Sequence, residues 1–470
     1  MKKTIPLILG PLLFALCLWL LPADIFTTFA ARAAVGSVVW MSLWWITAPV
    51  DYAVTAFLPI VINALFGITD MSSVIAQYAG ETIILLLGAS ILSISWDETG
   101  LDRRIATACL TLIGSSLAGQ LVFWFLFSAV MSAFLPNAVV AATLTPIAVS
   151  MLRYAGEGDI AESPSGSLIL MTIAWGAGIG GLATPLGGAM NLTVISYIES
   201  LTGREFLYSG WALRFAPIML VLVVTNLGYL LLLRPKGVRL PGTRAYFQAE
   251  SKKLGRMSRA EIISLILFLA ATVLSFVRGL FSDFLPGLKP AYIFLLCAVL
   301  TFLPHRADGT RVMEWKTVQK KIVWGLMYVF AGGLALGKLI TGSGADAMIG
   351  EAIGRSALSG GFGLCLLFVA VTLVLSDFTS NTATAAICIP IVITVTSGLG
   401  LDPIPYIYAA TIGVNLSYCL PTSIRAVPVG YGLPPRTMLR YGLPLSVLMI
   451  AVMAALSWLL MNWWPFFCLA

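Results

Sequence analysis

Charged residues are scarce in this chain. They make up 10% of its 470 residues, whereas soluble globular domains carry about 25%. The hydrophobic share is 59%, above the roughly 45–50% of such domains, so the chain cannot cover a water-exposed surface. These proportions exclude a disordered, fibrous, disulfide-scaffold or nucleic-acid-binding protein. We therefore expect an all-α integral membrane protein that is surrounded by the lipid bilayer and has no nucleic-acid partner.

Residues that hold metals or perform nucleophilic catalysis are also scarce. His305 is the single histidine, and one histidine cannot build a zinc site. The seven cysteines form no CxxC pair and lie mostly inside apolar runs, which argues against redox or metal use. The sequence has no Ser-His-Asp set and no glycine-rich phosphate loop. We predict neither an enzyme nor an ATP-driven pump, and no cofactor other than a possible sodium ion.

Long apolar runs dominate the chain instead. A membrane-spanning helix needs about 20 apolar residues. Two apolar stretches, 115–153 and 358–398, are too long for one helix, and polar residues interrupt each of them at its middle. The candidate spans are 11 other runs: 5–21, 33–48, 52–67, 80–96, 165–200, 212–233, 260–281, 290–304, 323–341, 402–430 and 438–463.

Basic residues set the predicted orientation, because cytoplasmic loops of membrane proteins are enriched in Lys and Arg. All the basic clusters lie on the cytoplasmic side only if 115–153 and 358–398 are re-entrant hairpins, each entering and leaving on one side. The chain then has 11 transmembrane helices in a bacterial cytoplasmic membrane, with its N-terminus inside and its C-terminus outside. The clusters that hold most of the net charge of +7 are 103–104, 234–259, 305–321 and 436–440.

The spans, hairpins and basic loops divide the chain into five predicted parts. Both halves combine scaffold helices with a core that holds one hairpin and one broken helix. The parts are scaffold helices at 1–79; a first core at 80–233, with hairpin 115–153 and broken helix 165–200; a basic cytoplasmic linker at 234–259; scaffold helices at 260–322; and a second core at 323–470, with hairpin 358–398 and broken helix 402–430.

An internal repeat relates the two halves. Most matching positions are 244 residues apart, but beyond the hairpins the shift falls to 236, where Pro185 matches Pro421. Five spans and a hairpin separate equivalent points, so the copies face opposite ways. Inverted repeats of this kind are typical of secondary transporters, with the site near the bilayer midplane. The pairs that coincide at a shift of 244, without a gap, are Gly88/Gly332, Gly100/Gly344, Asp102/Asp346, Ser132/Ser376, Asn137/Asn381 and Pro146/Pro390.

Each half contains two polar interruptions, at 132–138 and 183–191 in the first half and at 376–382 and 419–425 in the second. In lipid, unwound backbone is tolerated only where it is buried in protein or lines a cavity. Free carbonyls with Ser, Thr and Asn oxygens suit a sodium ion, whereas helix N-termini suit an anion. Alternatively, these polar side chains only hold helices together. Four symmetry-related clusters, interrupted by Gly and Pro, favour a binding site.

From Trp44 onward the sequence resembles the divalent anion/sodium symporter family, which carries dicarboxylates, citrate or sulfate. The resemblance is strongest at Ser376–Pro390, SDFTSNTATAAICIP, which is similar to the family's Ser-Asn-Thr hairpin tip. A second similar segment is Gly180–Leu192, GGLATPLGGAMNL. The resemblance implies an elevator-type fold of 11 spans and two hairpins. It also implies a mobile transport domain and a scaffold domain that forms a homodimer.

The resemblance further implies which residues bind ions and substrate. A first sodium site falls on Ser132, Asn137 and the backbone of Gly187. A second falls on Ser376, Asn381 and the backbone of Ser423. The residues expected to meet the anion are Asn137, Gly188, Ser380, Asn381 and Thr382.

Three departures from the family pattern stand out. The first hairpin tip reads Pro136-Asn137-Ala138 and therefore lacks two hydroxyls. The segment Gly187–Asn191 lacks a threonine that would face the substrate. In the second half, Ile424-Arg425 stands in place of a Thr-Pro pair.

Arg425 is the most informative single residue. A charged side chain at membrane depth costs at least about 2.5–3.5 kcal/mol on insertion scales, so it must be paired or functional. Three interpretations are open. Its guanidinium binds the anionic substrate, since arginine presents a planar fork to a carboxylate or sulfonate. It replaces the second sodium ion as a tethered cation. Or it pairs with Asp377, or reaches the inner interface.

The sequence thus predicts a secondary active transporter of a small organic or inorganic anion, similar to a di- or tricarboxylate, sulfate or sulfonate. We expect an elevator mechanism that is either sodium-coupled or an exchange. The alternative is an ion/proton or metalloid antiporter of the wider ion-transporter superfamily. Such an antiporter would depend on buried carboxylates rather than on an arginine.

Overall fold

A computed structural model describes residues 4–305, 309–354, 359–421 and 423–469. Within these ranges the chain is all-helical, and its only β contacts are two isolated bridges. The α-helices are α1 (Thr4–Leu20), α2 (Phe29–Thr47), α3 (Tyr52–Thr55), α4 (Leu58–Phe66), α5 (Met71–Ile75), α6 (Glu81–Thr99), α7 (Leu101–Leu110), α8 (Leu117–Phe134), α9 (Asn137–Tyr154), α10 (Pro164–Gly180), α11 (Ala189–Thr202), α12 (Tyr208–Leu233), α13 (Thr243–Lys253), α14 (Arg259–Phe276), α15 (Pro290–Leu300), α16 (Trp315–Lys321), α17 (Trp324–Gly342), α18 (Ala345–Gly354), α19 (Phe362–Phe378), α20 (Asn381–Gly398), α21 (Pro403–Asn415), α22 (Ala426–Gly430) and α23 (Pro435–Trp463).

Many of these helices are long and apolar enough to cross a bilayer. Residue 358, where the second predicted hairpin begins, and the two ends of the chain lie outside the described residues. In the described part, nine helical runs qualify by length and hydropathy: Phe29–Thr47, Met71–Thr99, Leu117–Phe134, Pro164–Ala183, Tyr208–Leu233, Arg259–Phe276, Trp324–Gly342, Asn381–Gly398 and Pro435–Trp463. Four shorter apolar helices accompany them: Thr4–Leu20, Tyr52–Phe66, Pro290–Leu300 and Phe362–Phe378.

The two stretches that are too long for one helix are each a pair of helices with a two-residue break. Leu135 and Pro136 separate α8 from α9, because proline has no amide hydrogen and favours the start of a helix. Ser380 precedes α20 and caps it, since its hydroxyl accepts a hydrogen bond from the amide of Ala383 at 3.1 Å. As a result, Asn137 and Asn381 are the first residues of equivalent helices.

Two further helices are interrupted. After α10, a short 3₁₀ turn ends at Ala183, and the extended Thr184, a turn at 185–187 and the extended Gly188 lead to α11. After α21, the chain leaves helical geometry at Leu416 and resumes it in a 3₁₀ turn, Ser423–Arg425, before α22. Glycine allows α10 to pack closely on α8, because a side chain on Gly176 would lie 2.7 Å from the carbonyl oxygen of Phe125.

Several helix bounds recur along the chain. The bounds of α18 and α20 equal those of α7 and α9 shifted by 244 residues. Gly100 and Gly344, which precede α7 and α18, have φ angles of 75° and 73°, a left-handed conformation that glycine adopts readily. The two chain segments therefore turn in the same way at matching positions.

The buried apolar residues that the structure describes form two clusters. The smaller one joins the N-terminal helices to α17 and to the start of α20, where it includes Ala383, Ala386, Ile387 and Cys388. The larger one contains α8, α9, α10 and most of the remaining helices. The two helix pairs thus have different surroundings among the described residues, since part of α20 belongs to the cluster of the N-terminal helices, whereas the buried apolar residues of α9 belong to the larger cluster.

Candidate functional site

The three residues predicted for a first sodium site lie together. The Ser132 hydroxyl is fully buried and donates a hydrogen bond to the Ala177 carbonyl at 2.6 Å. The backbone of Gly187 lies against that of Ser132, and a side chain there would also lie 2.7 Å from the Gly181 carbonyl oxygen. A side chain on Gly181 would in turn be 3.5 Å from the Asn137 amide nitrogen. Oxygen atoms of α8, of α10 and of the break after α10 therefore converge beside the first tip, where the Asn137 amide nitrogen also lies.

The break between α10 and α11 is closed by Asn191. Its side-chain amide donates hydrogen bonds to the carbonyls of Gly181, at 2.7 Å, and Thr184, at 2.9 Å. Its side-chain oxygen accepts a hydrogen bond from the Asn415 amide at 3.1 Å. Asn415 is the last residue of α21, so this pair joins the two broken helices directly.

Sequence reasoning gave no role to either asparagine. The available signal was a polar residue inside a broken apolar run, since Asn191 lies within the segment Gly180–Leu192 and Asn415 lies within 402–430. The bond between them joins residues 224 positions apart, which a single sequence does not reveal.

The second tip repeats part of the first. The buried Ser376 hydroxyl is hydrogen-bonded to the Val414 carbonyl at 2.7 Å, as Ser132 is to Ala177. It also lies 2.9 Å from the side-chain oxygen of Asn381, to which it is hydrogen-bonded. The predicted pair Ser376 and Asn381 is therefore in direct contact. Ser423, whose backbone was predicted to complete this site, begins the 3₁₀ turn that contains Arg425.

Asp377 is an acceptor for backbone amides. One of its carboxylate oxygens accepts hydrogen bonds from Tyr418 and Cys419, each at 2.9 Å. These two amides belong to the unwound segment after α21, so the carboxylate holds the second hairpin to the second broken helix. Only 5% of Asp377 is exposed.

Arg425 is buried among oxygen atoms of the second half, and only 1% of it is exposed. Its Nε donates a hydrogen bond to the Leu420 carbonyl at 2.7 Å, and Nη1 donates to the Ser417 hydroxyl. Its Nη2 donates to the Ser376 carbonyl at 3.4 Å and lies 3.8 Å from the Asp377 carboxylate. The pairing with Asp377, one of the three interpretations, is thus present in the structure.

The two tips differ in exposure. Asn137 is half-buried and Ala138 is exposed, whereas Asn381 and Thr382 are 7% and 5% exposed. Gly188 is buried beside the Met190 side chain, whose sulfur would lie 2.7 Å from any side chain on this glycine. The structure therefore opens the first tip and covers the second.

A cavity of about 840 Å³ runs along the exposed face of α9, from Val139 near the tip to Ser150. On its far side, Arg103 and Glu250 form an ion pair of 3.7 Å, and Lys321 pairs with Asp97 at 2.5 Å. Asp102, outside the candidate spans, accepts a hydrogen bond from Thr143 at 3.1 Å, and burial raises the pKa of its carboxyl.

A smaller cavity of about 280 Å³ lies at the matching position of the second half. It is lined by residues of α18 and α20, including Asp346 and Thr394, which match Asp102 and Ser150 at a shift of 244. Neither cavity contains a cluster of three His, Cys, Asp or Glu side chains suited to a metal, in the part of the chain that the structure describes.

Comparison with known proteins gives a consistent result. The model of a citrate transporter family matches residues 42–413. The chain is 27% identical to the sodium-dependent dicarboxylate transporter SdcS of Staphylococcus saprophyticus over 475 residues, covering 97% of this chain and 91% of that protein. It is also 27% identical to SdcS of Staphylococcus aureus strain NCTC 8325, covering 92% and 85% of the two chains.

Among solved structures, the fold is similar to that of the YdaH transporter of Alcanivorax borkumensis, whose crystal structure is described as having an unusual topology. The TM-score is 0.52 at 13% identity, and the match covers 84% of this chain and 88% of the other. At this identity the similarity concerns the fold alone.

Proposed function

Because the chain belongs to the citrate transporter family, and with it to the divalent anion/sodium symporters, we propose that it is a secondary active transporter of a small anion. The observation that carries the proposal is the meeting of two hairpin tips with two broken helices. The hydrogen bond between Asn191 and Asn415 joins those helices at 3.1 Å. Broken helices that meet between repeats are the usual substrate sites of secondary transporters.

The proposed architecture is an inverted repeat with 11 spans and two re-entrant hairpins. The coincidence of helix bounds at a shift of 244 supports the repeat. The break at residues 135–136, which contains Pro136, and the break at 379–380, which Ser380 caps, support hairpins that end inside the membrane. The spans would be α1, α2, α3–α4, α6, α10–α11, α12, α14, α15, α17, α21–α22 and α23.

The proposed mechanism is an elevator in which the two hairpins and broken helices move together. Its support is the unequal size of the two matching cavities, about 840 Å³ beside α9 and about 280 Å³ beside α20. The larger cavity adjoins Arg103 and Lys321, from basic segments that we place in the cytoplasm. We therefore assign this conformation to the inward-facing state. A homodimer formed by the scaffold helices remains part of the proposal through the family resemblance.

We propose a sodium ion at the first site, coordinated by Ser132, Asn137 and the Gly187 backbone. The two Staphylococcus relatives are sodium-dependent transporters by name, which supports a coupling ion. At the second site, the guanidinium of Arg425 takes the place of an ion, since it already contacts the Ser376 carbonyl and the Asp377 carboxylate. The transporter would then couple its anion to one sodium, or exchange one anion for another.

The antiporter alternative needs a carboxylate that exchanges protons during transport. The candidate in the second tip is Asp377, but it accepts two backbone hydrogen bonds and lies beside Arg425. These partners hold the carboxylate in place between the second hairpin and the second broken helix. These contacts favour the anion transporter.

Uptake by purified full-length protein in proteoliposomes tests the proposal. Liposomes with and without protein receive a mixture of dicarboxylates, citrate, sulfate, sulfonates and monocarboxylates, and their contents are analysed by mass spectrometry. We expect at least one anion to accumulate above the protein-free control, faster with external sodium than with choline. Proton movement without uptake of any anion would support the antiporter instead.

A further inference from the structure

The two hairpin tips occupy matching positions but offer different groups to an anion. At a shift of 244 residues, Ser380-Asn381-Thr382 in the second half corresponds to Pro136-Asn137-Ala138 in the first. The asparagine is retained in both tips, whereas both hydroxyls are present only in the second. Any anion that bridges the tips therefore meets a polar end and a less polar end.

The second tip is built to hold a carboxylate. Asn381 is hydrogen-bonded to Ser376, which fixes its side chain at the start of α20. Thr382 is only 5% exposed, and among the described residues its hydroxyl has no hydrogen-bond partner. A hydroxyl without a partner in the protein is available to donate a hydrogen bond to an oxygen of a bound anion.

The first tip offers little beyond Asn137. Pro136 has no amide hydrogen, and Ala138 has no polar side chain. Behind them, the thioether of Met190 covers the backbone of Gly188. An apolar part of a ligand can lie here without losing any hydrogen bond to water. A second carboxylate would lose its hydrogen bonds to water and would find few donors in the protein to replace them.

The surroundings of the first tip are also apolar. An open groove of about 390 Å³ borders the end of α8 at Phe134. Its remaining lining comes from the break after α10 and from the end of α14 and the residue that follows it: Thr184, Thr272, Val273, Phe276 and Val277. None of these side chains is charged, so the space suits the uncharged body of a ligand.

The balance of charge leads to the same conclusion. Asp377 and Arg425 lie 3.8 Å apart and carry opposite charges, so this pair adds no net charge to the site. A single sodium ion at the first site adds one positive charge. One carboxylate balances that charge, whereas a dicarboxylate would leave a negative charge uncompensated in a water-poor site.

We propose that the transported anion is a monocarboxylate with an uncharged, largely apolar body, its carboxylate held by Ser380, Asn381 and Thr382. The inference rests on the proposed anion transport and specifies the substrate class of that same site. It assigns substrate selectivity to the difference between the two tips.

Binding of matched acids to purified full-length protein tests the proposal. Titration calorimetry in detergent with sodium compares hexanoate with adipate and butyrate with succinate, which have equal chain lengths. Binding is measured because protonated monocarboxylates cross lipid bilayers unaided. We expect each monocarboxylate to bind at least about tenfold more tightly than the dicarboxylate of equal chain length. This factor corresponds to the loss of one or more hydrogen bonds by the second carboxylate, which the first tip does not replace.

A double variant, Pro136→Ser with Ala138→Thr, makes the first tip like the second. We expect it to tighten adipate binding by about tenfold. Pro136→Ser with Ala138→Val is the matched control, because valine has the shape of threonine without its hydroxyl, and it should tighten adipate binding less than the threonine variant does.

Adipate binding as tight as hexanoate binding in the native protein would overturn the proposal, as would equal adipate binding by the threonine and valine variants. If the protein binds neither acid but accumulates some other anion, the monocarboxylate proposal is wrong and the proposed anion transport stands. Failure to take up any anion in the proteoliposome assay overturns both.

Discussion

The guanidinium of Arg425 lies 3.8 Å from the carboxylate of Asp377, and 1% and 5% of the two residues are exposed. The main contribution of such a buried ion pair is that neither charge is left in the protein interior without a counterion. The pair also connects the second hairpin, which carries Asp377, to the second broken helix, which carries Arg425. Its removal therefore probes both the fold and the coupling ion.

Replacing Arg425 with alanine leaves Asp377 buried without its counterion. Loss of one partner of a buried pair destabilises a protein by about 3–5 kcal/mol. If the guanidinium stands in place of a sodium ion, a mobile sodium ion should bind in the variant and restore part of this stability. We expect sodium, compared with choline, to raise the melting temperature more in Arg425→Ala than in the native protein.

The control is Arg440→Ala, at an exposed position in a basic segment, which should respond to sodium as the native protein does. An equal sodium effect on native protein and Arg425→Ala would argue against a tethered cation. In active variants, the uptake rate should also depend more steeply on sodium concentration.

Asn381 is expected to be essential for transport. Its side chain is hydrogen-bonded to Ser376 and begins the helix at the second tip. Asn381→Ala should reduce uptake by at least about tenfold, as expected for loss of a hydrogen bond to a charged ligand. Thr193→Val is a suitable control, because the buried Thr193 hydroxyl has no hydrogen-bond partner in the described part of the chain. Similar losses in both variants would place the site elsewhere.

Asn191 and Asn415 should be energetically coupled. Each single alanine substitution leaves a buried polar partner unsatisfied, which costs about 1–3 kcal/mol. The double variant should therefore lose less stability than the sum of the two single variants, measured as melting temperature in detergent. Asn462→Ala, at an exposed position, should be nearly neutral. Strict additivity would show that the hydrogen bond does not join the broken helices.

Gly176 should not tolerate a side chain. A methyl group there would lie 2.7 Å from the Phe125 carbonyl oxygen, so α10 and α8 would have to separate. We expect Gly176→Ala to lower the melting temperature clearly. Gly228→Ala in α12 is the matched control, since a side chain there meets nothing within 4 Å and alanine favours a helix by about 1 kcal/mol. Equal behaviour of the two variants would contradict the close packing of α10 on α8.

Ser150 and Thr394 test the inverted topology. They match at a shift of 244 and line the larger and the smaller cavity, respectively. In a cysteine-free background, Ser150→Cys should react with a membrane-impermeant thiol reagent only from the cytoplasmic side. Thr394→Cys should react only from the opposite side, and more slowly because its cavity is smaller. Labelling of both from the same side would rule out the inverted repeat.

The sequence predicted the helical membrane fold and the family, and the helix content and the comparisons confirmed both. These predictions succeeded because they depend on local features, namely apolar run length and the Ser-Asn-Thr segment. The breaks at 135–136 and 379–380 are likewise marked locally by Pro136 and Ser380.

Long-range contacts were beyond the same reasoning. The linker 234–259 was predicted only as a basic loop, yet it contains α13, whose Phe247 packs on Trp124 of the first hairpin. The sequence left three interpretations of Arg425 open because Asp377 lies 48 positions earlier, and only the fold brings the two side chains together. The hydrogen bond between Asn191 and Asn415 likewise joins residues that are far apart in the sequence.

A cation that is part of the chain cannot supply the free energy of a concentration gradient, whereas a sodium ion bound from solution can. Because Arg425 is covalently part of the protein, it returns with every cycle, and no concentration gradient is dissipated by its movement. In the proposed cycle, one sodium ion crosses with one monovalent anion, so no net charge moves. The membrane potential, which otherwise contributes about 2.3 kcal/mol per charge per 100 mV, then performs no work on the substrate. At equilibrium, the ratio of internal to external anion could not exceed the sodium ratio across the membrane.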